Sequence, residues 1–517
     1  MLINALVDGL VKNPALPETL VRRLIRWRGG SGGIAGRDDL SAVTVEEIIT
    51  TGDHRILHTL ALNQAMSGEV KLRLARLGDP SVRAALALRS EHGPRELFEL
   101  LAGDSGKSVK EYLAQNGRVP EDIRARLADD PDPKIRATLA QYWNGAPEQI
   151  RRKLLTDPSP EVRAAACSTY FRFLPHPTPP ADLVPALLAD PLTRAGAARH
   201  AVLTPPPHPA HPARPTADPA HAAQPGAGRG RPVRPTAEPG LVAGLVADPD
   251  YQVRRELARH PTLPPAARDL LAVDSSAAVQ VVLFGREDLP AHLRWAIHEF
   301  VERRAANPVD LVSSDLEDDL LEQVIEDNMA IDELRLGSLP WVTADPLPHV
   351  TSRYIGFRVA AARAADTLPP EAVRTLLDDE DLDVRRTVLS HAPHLVEPAT
   401  AEQIEREWSS RRRKVRWRPA DSYPFPPESL RHFATDPNPR IRDLAVTDPD
   451  LPVPVLTALA ADTDPSVRQV VAGHPRLPVE VLLTLLEDDA GHVATAAAAS
   501  PSLPLPTMEE ILNRAGL

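Results

Sequence analysis

Arg411, Arg412, Arg413, Lys414, Arg416 and Arg418 put six positive charges into eight residues, with Trp408 and Trp417 beside them. Guanidinium groups interleaved with indole rings can grip carboxylates or phosphates, and each ring offers a face over which an arginine lies. A weaker cluster, Arg22 to Arg28 around Trp27, precedes the glycine-rich turn Gly29–Gly33. That turn could cradle a phosphate, but it follows a basic helix and not a strand, so a dinucleotide fingerprint is not met. Gly103-Asp-Ser-Gly106-Lys107-Ser108 ends like a phosphate-binding loop, yet only two residues separate its first glycine from Gly-Lys-Ser. Four are required.

The remaining reactive side chains are isolated. Cys167 sits on a segment of small residues with no base nearby in sequence, which predicts a buried, inert thiol. As the sole cysteine it excludes internal disulfides and an all-cysteine metal cluster. His208, His211 and His221 fall in a proline-rich tract with no scaffold to bring them together. Nothing in this inventory demands catalysis, and no cofactor or metal is expected.

What positions these residues is a repeat. Ile441, Val467 and Val493 are 26 residues apart, and Leu-Pro follows each after ten: Leu451-Pro452, Leu477-Pro478, Leu503-Pro504. Asn438 and Asp464 stand three before their anchors as N-caps, with Pro439 and Pro465 at the first helical position. Val467, Val470 and Val471 predict one buried stripe; Val481, Leu482, Leu485 and Leu486 predict the face of a second helix. Neither helix is long enough to stand alone, so the core must come from stacking. Anchors at Ile56, Val82, Val109, Ile135, Val162, Val253, Val279 and Val384 extend the pattern. The position seven after the anchor takes Asn63, Asn116, His260, His391, Asp448, His474 or Ser500, which predicts a polar helix-end group and not a metal ligand.

An acid five before the anchor and a base just after it recur as Asp130/Arg136, Asp157/Arg163, Asp248/Arg254, Asp379/Arg385, Asp436/Arg442 and Asp462/Arg468. This resembles a HEAT repeat, in which such pairs form a ladder between units. The Val253-Arg to Leu263-Pro264 stretch is closer to the leucine-rich repeat variant family. That resemblance implies an α-helix paired with a shorter 3₁₀-type helix in a right-handed superhelix. The expected fold is therefore an all-α, right-handed α-solenoid of ~26-residue two-helix repeats.

Three segments depart from the rule. Thr204–Gly240, with eleven prolines, is predicted to be a linker between arrays at 1–203 and 241–517. Irregular insertions are expected near 291–350, including a longer helix with an acidic face around Leu316–Asp327, and near 408–426. The chain starts within the pattern at Asn13-Pro-Ala-Leu16-Pro17, and Met508–Leu512 is expected to form a last helix closing the exposed end of the stack.

Composition narrows the function. A net charge of −12 and a pI near 5.8 argue against a general polyanion binder. Seven lysines among 59 basic residues suggest a GC-rich bacterial genome. No secretory signal is visible at Met1–Asp8 and no run is long enough to span a membrane, so the cytoplasm is the expected address. The expected role is a non-catalytic protein-interaction scaffold for a protein partner, an acidic surface being one that would suit Arg411, Arg412, Arg413, Lys414, Arg416, Trp417 and Arg418. The alternatives are a HEAT-like protein that binds nucleic acid, with or without base chemistry, and a small-molecule lyase or ligand-binding one.

Overall fold

The computed structural model describes residues 2–27, 33–168, 177–203, 240–306, 318–411 and 418–517. Among them the secondary structure is entirely helical. Eleven helices matter below: α1 (Leu2–Lys12), α2 (His54–Leu62), α3 (Pro80–Arg89), α4 (Lys107–Gln115), α5 (Arg194–Ala198), α6 (Tyr251–Ala258), α7 (Pro398–Ser410), α8 (Pro439–Ala445), α9 (Pro465–Val471), α10 (Gly491–Ala498) and α11 (Leu505–Arg514). No described helix is long and apolar enough to cross a membrane.

The unit around α9 shows how a repeat forms. Asp464 accepts the Ser466 amide at 2.9 Å, and Pro465 occupies the first turn, where its missing N–H leaves nothing unpaired. Val467 and Val471 are fully buried, each contributing roughly 1.5–3 kcal/mol relative to exposure. Val470, expected on the same stripe, is 43% exposed. At 100° per residue it falls a quarter turn from Val471, outside the strip that two stacked helices cover. Pro478 then opens Val479–Leu485, which buries Leu482 and Leu485. This second helix is α and not 3₁₀, as are Val453–Ala460 and Pro370–Leu377 in the same position, so the 3₁₀ partner implied by the leucine-rich repeat variant resemblance is not found there. Every anchor named above is buried except Ile56, which is half-buried.

The acid–base pairs link neighbours, and they do so with a direction. Each arginine donates to the aspartate of the following unit: Arg136 to Asp157 at 2.8 Å, Arg254 to Asp274 at 2.7 Å, Arg358 to Asp379 at 2.6 Å, Arg442 to Asp462 at 2.7 Å and Arg468 to Asp488 at 2.7 Å. Its other nitrogen takes the backbone carbonyl of its own unit's aspartate, as Arg136 does at Asp130, Arg163 at Asp157, Arg254 at Asp248, Arg442 at Asp436 and Arg468 at Asp462. Arg163 reaches Asp190, Arg385 reaches Glu407 and Arg406 reaches Asp436 by the same logic. The Arg442 guanidinium, with its hydrogen bonds, holds the Asp462 carboxyl below the usual carboxylate range.

Contacts divide the chain into two compact units, Met1–Leu127 with Pro340–Leu517, and Ala128–Leu339. In the second unit α5 and α6 stack as neighbours although 204–239 lies between them in sequence. Arg194 bonds Asp248 at 2.9 Å, and His260 Nε2 meets the Ala201 carbonyl at 2.8 Å. The proline-rich segment 204–239 itself lies outside the described residues, and the contacts divide elsewhere than at the expected boundary. The departure from period after Ala291 appears as two long helices, Ala291–Ala306 and Asp318–Leu336.

In the first unit the stack does not stop at α10. Helix α1 packs on α10 and α11, so the face expected to be closed by α11 is covered by the beginning of the chain. Gly9 lets this happen: a Cβ there would overlap the Thr495 carbonyl oxygen and stand 2.6 Å from the Ala498 Cβ. Asn13 Nδ2 donates to the Ala498 and Ser500 carbonyls at 3.0 and 2.6 Å. The same bonds recur onward: Arg37 to Val11 and Asn13, Asn63 to Ala35 and Arg37, Asn116 to Ala87 and Ser90. At Asn63, Asn116, His260 and His474 the polar position seven after the anchor thus reaches back into the preceding unit, and Asn13 makes the same reach between α1 and the last repeat.

Candidate functional site

The expected binding cluster is only partly visible. Arg412, Arg413, Lys414, Arg416 and Trp417 lie outside the described residues. Arg411 follows the end of α7 with an extended backbone and bonds Glu407 at 2.8 Å. Arg418 turns inward: it donates to Glu405 at 3.3 Å, to Asp443 at 3.1 Å and to the Arg440 carbonyl at 2.7 Å. Glu405 is fully buried and also accepts Ser409 Oγ and the Ala420 amide, both at 2.8 Å. A buried carboxylate needs such a set of donors, so Arg418 is a tie between α7 and α8 and not a free cation. Burial pushes Asp443 up, against the pull of Arg418. Trp408 is buried as well, and the guanidinium over its ring, at 4.9 Å, is that of Arg386. The second cluster is similarly engaged. Arg22 pairs with Glu47, Arg23 with Asn513 and the Leu517 oxygen, and Trp27 Nε1 with Asp8. Sequence spacing shows charge density but not which charges the fold consumes.

Cys167 is buried, its Sγ 3.3 Å from the Thr193 carbonyl, and desolvation pushes the thiol up to about 12. His260 and His474 each place Nε2 against a carbonyl of the preceding unit and accept an amide on Nδ1. That pattern fixes the Nε2–H tautomer and makes them rungs, not catalysts. No group of three or more metal-competent side chains exists among the described residues.

No family model and no curated protein matches this chain. It is similar to solved structures of Kap121p bound to RanGTP, at 14% identity and a TM-score of 0.22, and of Kap121p bound to Pho4p, at 14% and 0.21. These matches cover 96% and 92% of this chain, which spans about half the length of the Kap121p chains. An engineered protein matches at 14% identity and a TM-score of 0.12, covering 99% of both chains. The HEAT-like α-solenoid class itself stands on the stacked two-helix units and their ladder.

The surface feature that sequence reasoning missed is a groove of about 740 Å³ across α2, α3 and α4. Its floor is Ser81, Ala84 and Ala85 of α3; Leu62 and Leu88 line it, and Tyr112 of α4 stands at the far side. Ala84 and Ala85 are buried yet too short to fill the space, whereas Leu62 and Tyr112 are 37% and 38% exposed. Small residues on a central helix between larger ones are what hollow the surface. The signal was present in Ser81-Val-Arg-Ala-Ala85, but alanine also serves as ordinary packing in this chain.

Proposed function

We propose that the chain is a non-catalytic protein-interaction scaffold whose groove across α2, α3 and α4 receives a segment of another protein. The observation that carries this reading is that groove: about 740 Å³, open to solvent and formed by three successive repeats. Its volume lies within the range of about 300–1,000 Å³ in which clefts bury ligands. Stacked repeats hold its walls rigidly, so little ordering is lost on binding. The HEAT-like class fits this use, as do the Kap121p complexes with RanGTP and Pho4p in kind though not in detail. The Val-Arg to Leu-Pro spacing favours the leucine-rich repeat variant branch and the α-helical second helices argue for the HEAT branch. A cytoplasmic address is part of the same proposal.

The test is a photo-crosslinking amino acid at Tyr112, with a control at Thr457, an exposed residue on the second helix of another repeat. In native lysate the 112 variant should give discrete protein adducts that the 457 variant does not. Equal labelling from both positions would remove the groove from consideration.

A further inference from the structure

We infer that the starts of three successive second helices form a docking row for an amphipathic helix of a partner protein, apolar along one face and rich in lysine or arginine beside it. The row shares no residue with the groove over α2, α3 and α4 and is independent of what that groove receives.

Val453, Val479 and Leu505 are 26 residues apart, and each is the first residue of the helix that follows Leu-Pro. Val453–Ala460 packs on α9, Val479–Leu485 on α10 and α11 on α1, each on the first helix of the unit that comes next in the stack. That shared arrangement sets the three side chains in line across the stack, 40%, 36% and 46% exposed. Leu483, one turn beyond Val479, widens the line at 37% exposure, whereas Thr457 at the same place in its helix turns its hydroxyl back to the Val453 carbonyl. A lone exposed apolar side chain is ordinary on any protein, but these recur at one repeat position. In the first repeats that position holds Glu18, Ala42, Gly68, Arg95 and Glu121, all charged or small.

The charges around the row choose its occupant. In the first repeats the second helices tie acids to bases across neighbouring units: Arg22 to Glu47, Arg73 to Glu46 and Arg95 to Asp122. Beside the row, Glu480 adjoins Val479, and Glu509 and Glu510 lie one turn beyond Leu505. All three are exposed, and none has an ion pair or a side-chain hydrogen bond among the described residues. Val453–Ala460 and Val479–Leu485 contain no basic residue, and Arg514 of α11 is in its last turn, at the far end from Leu505. Arg476, just before Val479, is paired with Asp450 at 3.3 Å. Three unpaired carboxylates beside an apolar line repel an acidic segment and attract a cationic one.

Spacing selects a helix. Packed helices lie about 10 Å apart, so the members of the row do too. In an α-helix, residues seven apart share a face and are separated by about 10.5 Å. An extended strand covers that distance in about three residues, which brings the side chain to the opposite face. A helix lying across the stack therefore sets one apolar residue on each of Val453, Val479 and Leu505, with its flanking cations within reach of the glutamates.

The experiment uses the full chain and fluorescein-labelled peptides of three heptads in anisotropy titrations. One has leucine at every seventh position flanked by lysine, a second replaces lysine by glutamate, and a third keeps the first composition with leucine at every fifth position. The first peptide should saturate, gain helical circular dichroism on binding, and weaken about fivefold between low and physiological salt. V453S/V479S/L505S should weaken it about tenfold, because its apolar contacts are lost. E480Q/E509Q/E510Q should weaken it about fivefold and remove most of the salt dependence. All six positions are exposed, so both melting curves should overlay that of wild type, and the glutamine variant keeps the row intact should the serine variant melt early. Failure of the first peptide to saturate, equal affinity for the lysine and glutamate peptides or for the two leucine spacings, or wild-type affinity in both variants would overturn the inference. Sedimentation showing self-association that the serine variant abolishes would assign the row to a second copy of the chain and overturn it as well.

Discussion

The junction between α9 and α10 and the junction between α10 and α1 do the same work by different means. The first joins units that follow each other in sequence, and Arg468 locks it to Asp488 through two bonds at 2.7 and 2.8 Å. The second joins residues almost five hundred positions apart and has no such pair, because Ala494 stands where other units place the arginine. In its place are the Gly9 contact with Thr495 and Ala498, the two Asn13 bonds, and Thr495 Oγ1 donating to the Ala5 carbonyl at 3.0 Å. Where the chain supplies continuity, ion pairs set the register; where it does not, shape and neutral amides set it. Neutral contacts keep their strength in salt and acid, whereas ion pairs do not.

Gly9→Leu should break this contrast most severely. A side chain there meets a backbone carbonyl that cannot move away, and the expected loss is about 3 kcal/mol or more. Thermal melting should show it, with α1 amides exchanging hydrogen at once while those of α9 stay protected. Wild-type melting would mean that α1 does not sit on α10.

The opposite manipulation is a lock. A Cβ built on Gly491 lies 3.8 Å from the Ala5 Cβ, the usual separation across a disulfide. The A5C/G491C variant should therefore cross-link under mild oxidation, gaining roughly 2–3 kcal/mol. The high thiol pKa of buried Cys167 keeps it from competing. Gel mobility with and without reductant reads the result, and an uncross-linked product would contradict the junction.

Asp462→Ala probes the ionic side of the comparison. It leaves the mostly buried Arg442 without its partner and should cost about 2 kcal/mol at pH 7. Asp462 has a lowered pKa in the folded protein, chiefly through its bond with Arg442, so its contribution is full above the unfolded value of about 4. It disappears as pH falls through the lower folded value. Denaturant titrations at pH 7 and pH 2.5 should show the gap between variant and wild type closing in acid. A gap that persists would mean the loss is one of packing.

Asn13→Ala should have the smallest effect, about 1 kcal/mol, since it strands two carbonyls without adding bulk. Unlike that of Asp462→Ala, its cost should be the same in 0.05 M and 1 M salt. A salt-dependent cost would show that charge, and not the amide, holds this junction.

Much of this was legible beforehand. The anchors Val82, Val109, Ile135, Val162, Val253, Val279, Val384, Ile441, Val467 and Val493 are all buried, because a 26-residue period and helical spacing are properties of adjacent residues. The direction of the ladder was not, since Asp462 is nearer in sequence to Arg468 than to Arg442, and only stacking brings the farther arginine to its carboxylate. The inward turn of Arg418 depends on Glu405 and Asp443, which no local pattern joins to it. The α1 junction did leave a trace. Leu6, Asn13 and Leu16-Pro17 keep the full spacing of an interior unit, and Leu6, Val7 and Leu10 are all buried.

That junction also decides how the protein responds to tension. Because Leu2 belongs to α1 and Leu517 follows α11, a pull on the two ends is borne first across α1, α10 and α11. The rest of the first unit carries no load until that contact parts. Only then does force travel along the chain and peel repeats one after another. A pulling trace should therefore open with a single early rupture, absent from Gly9→Leu and shifted out of reach in oxidised A5C/G491C.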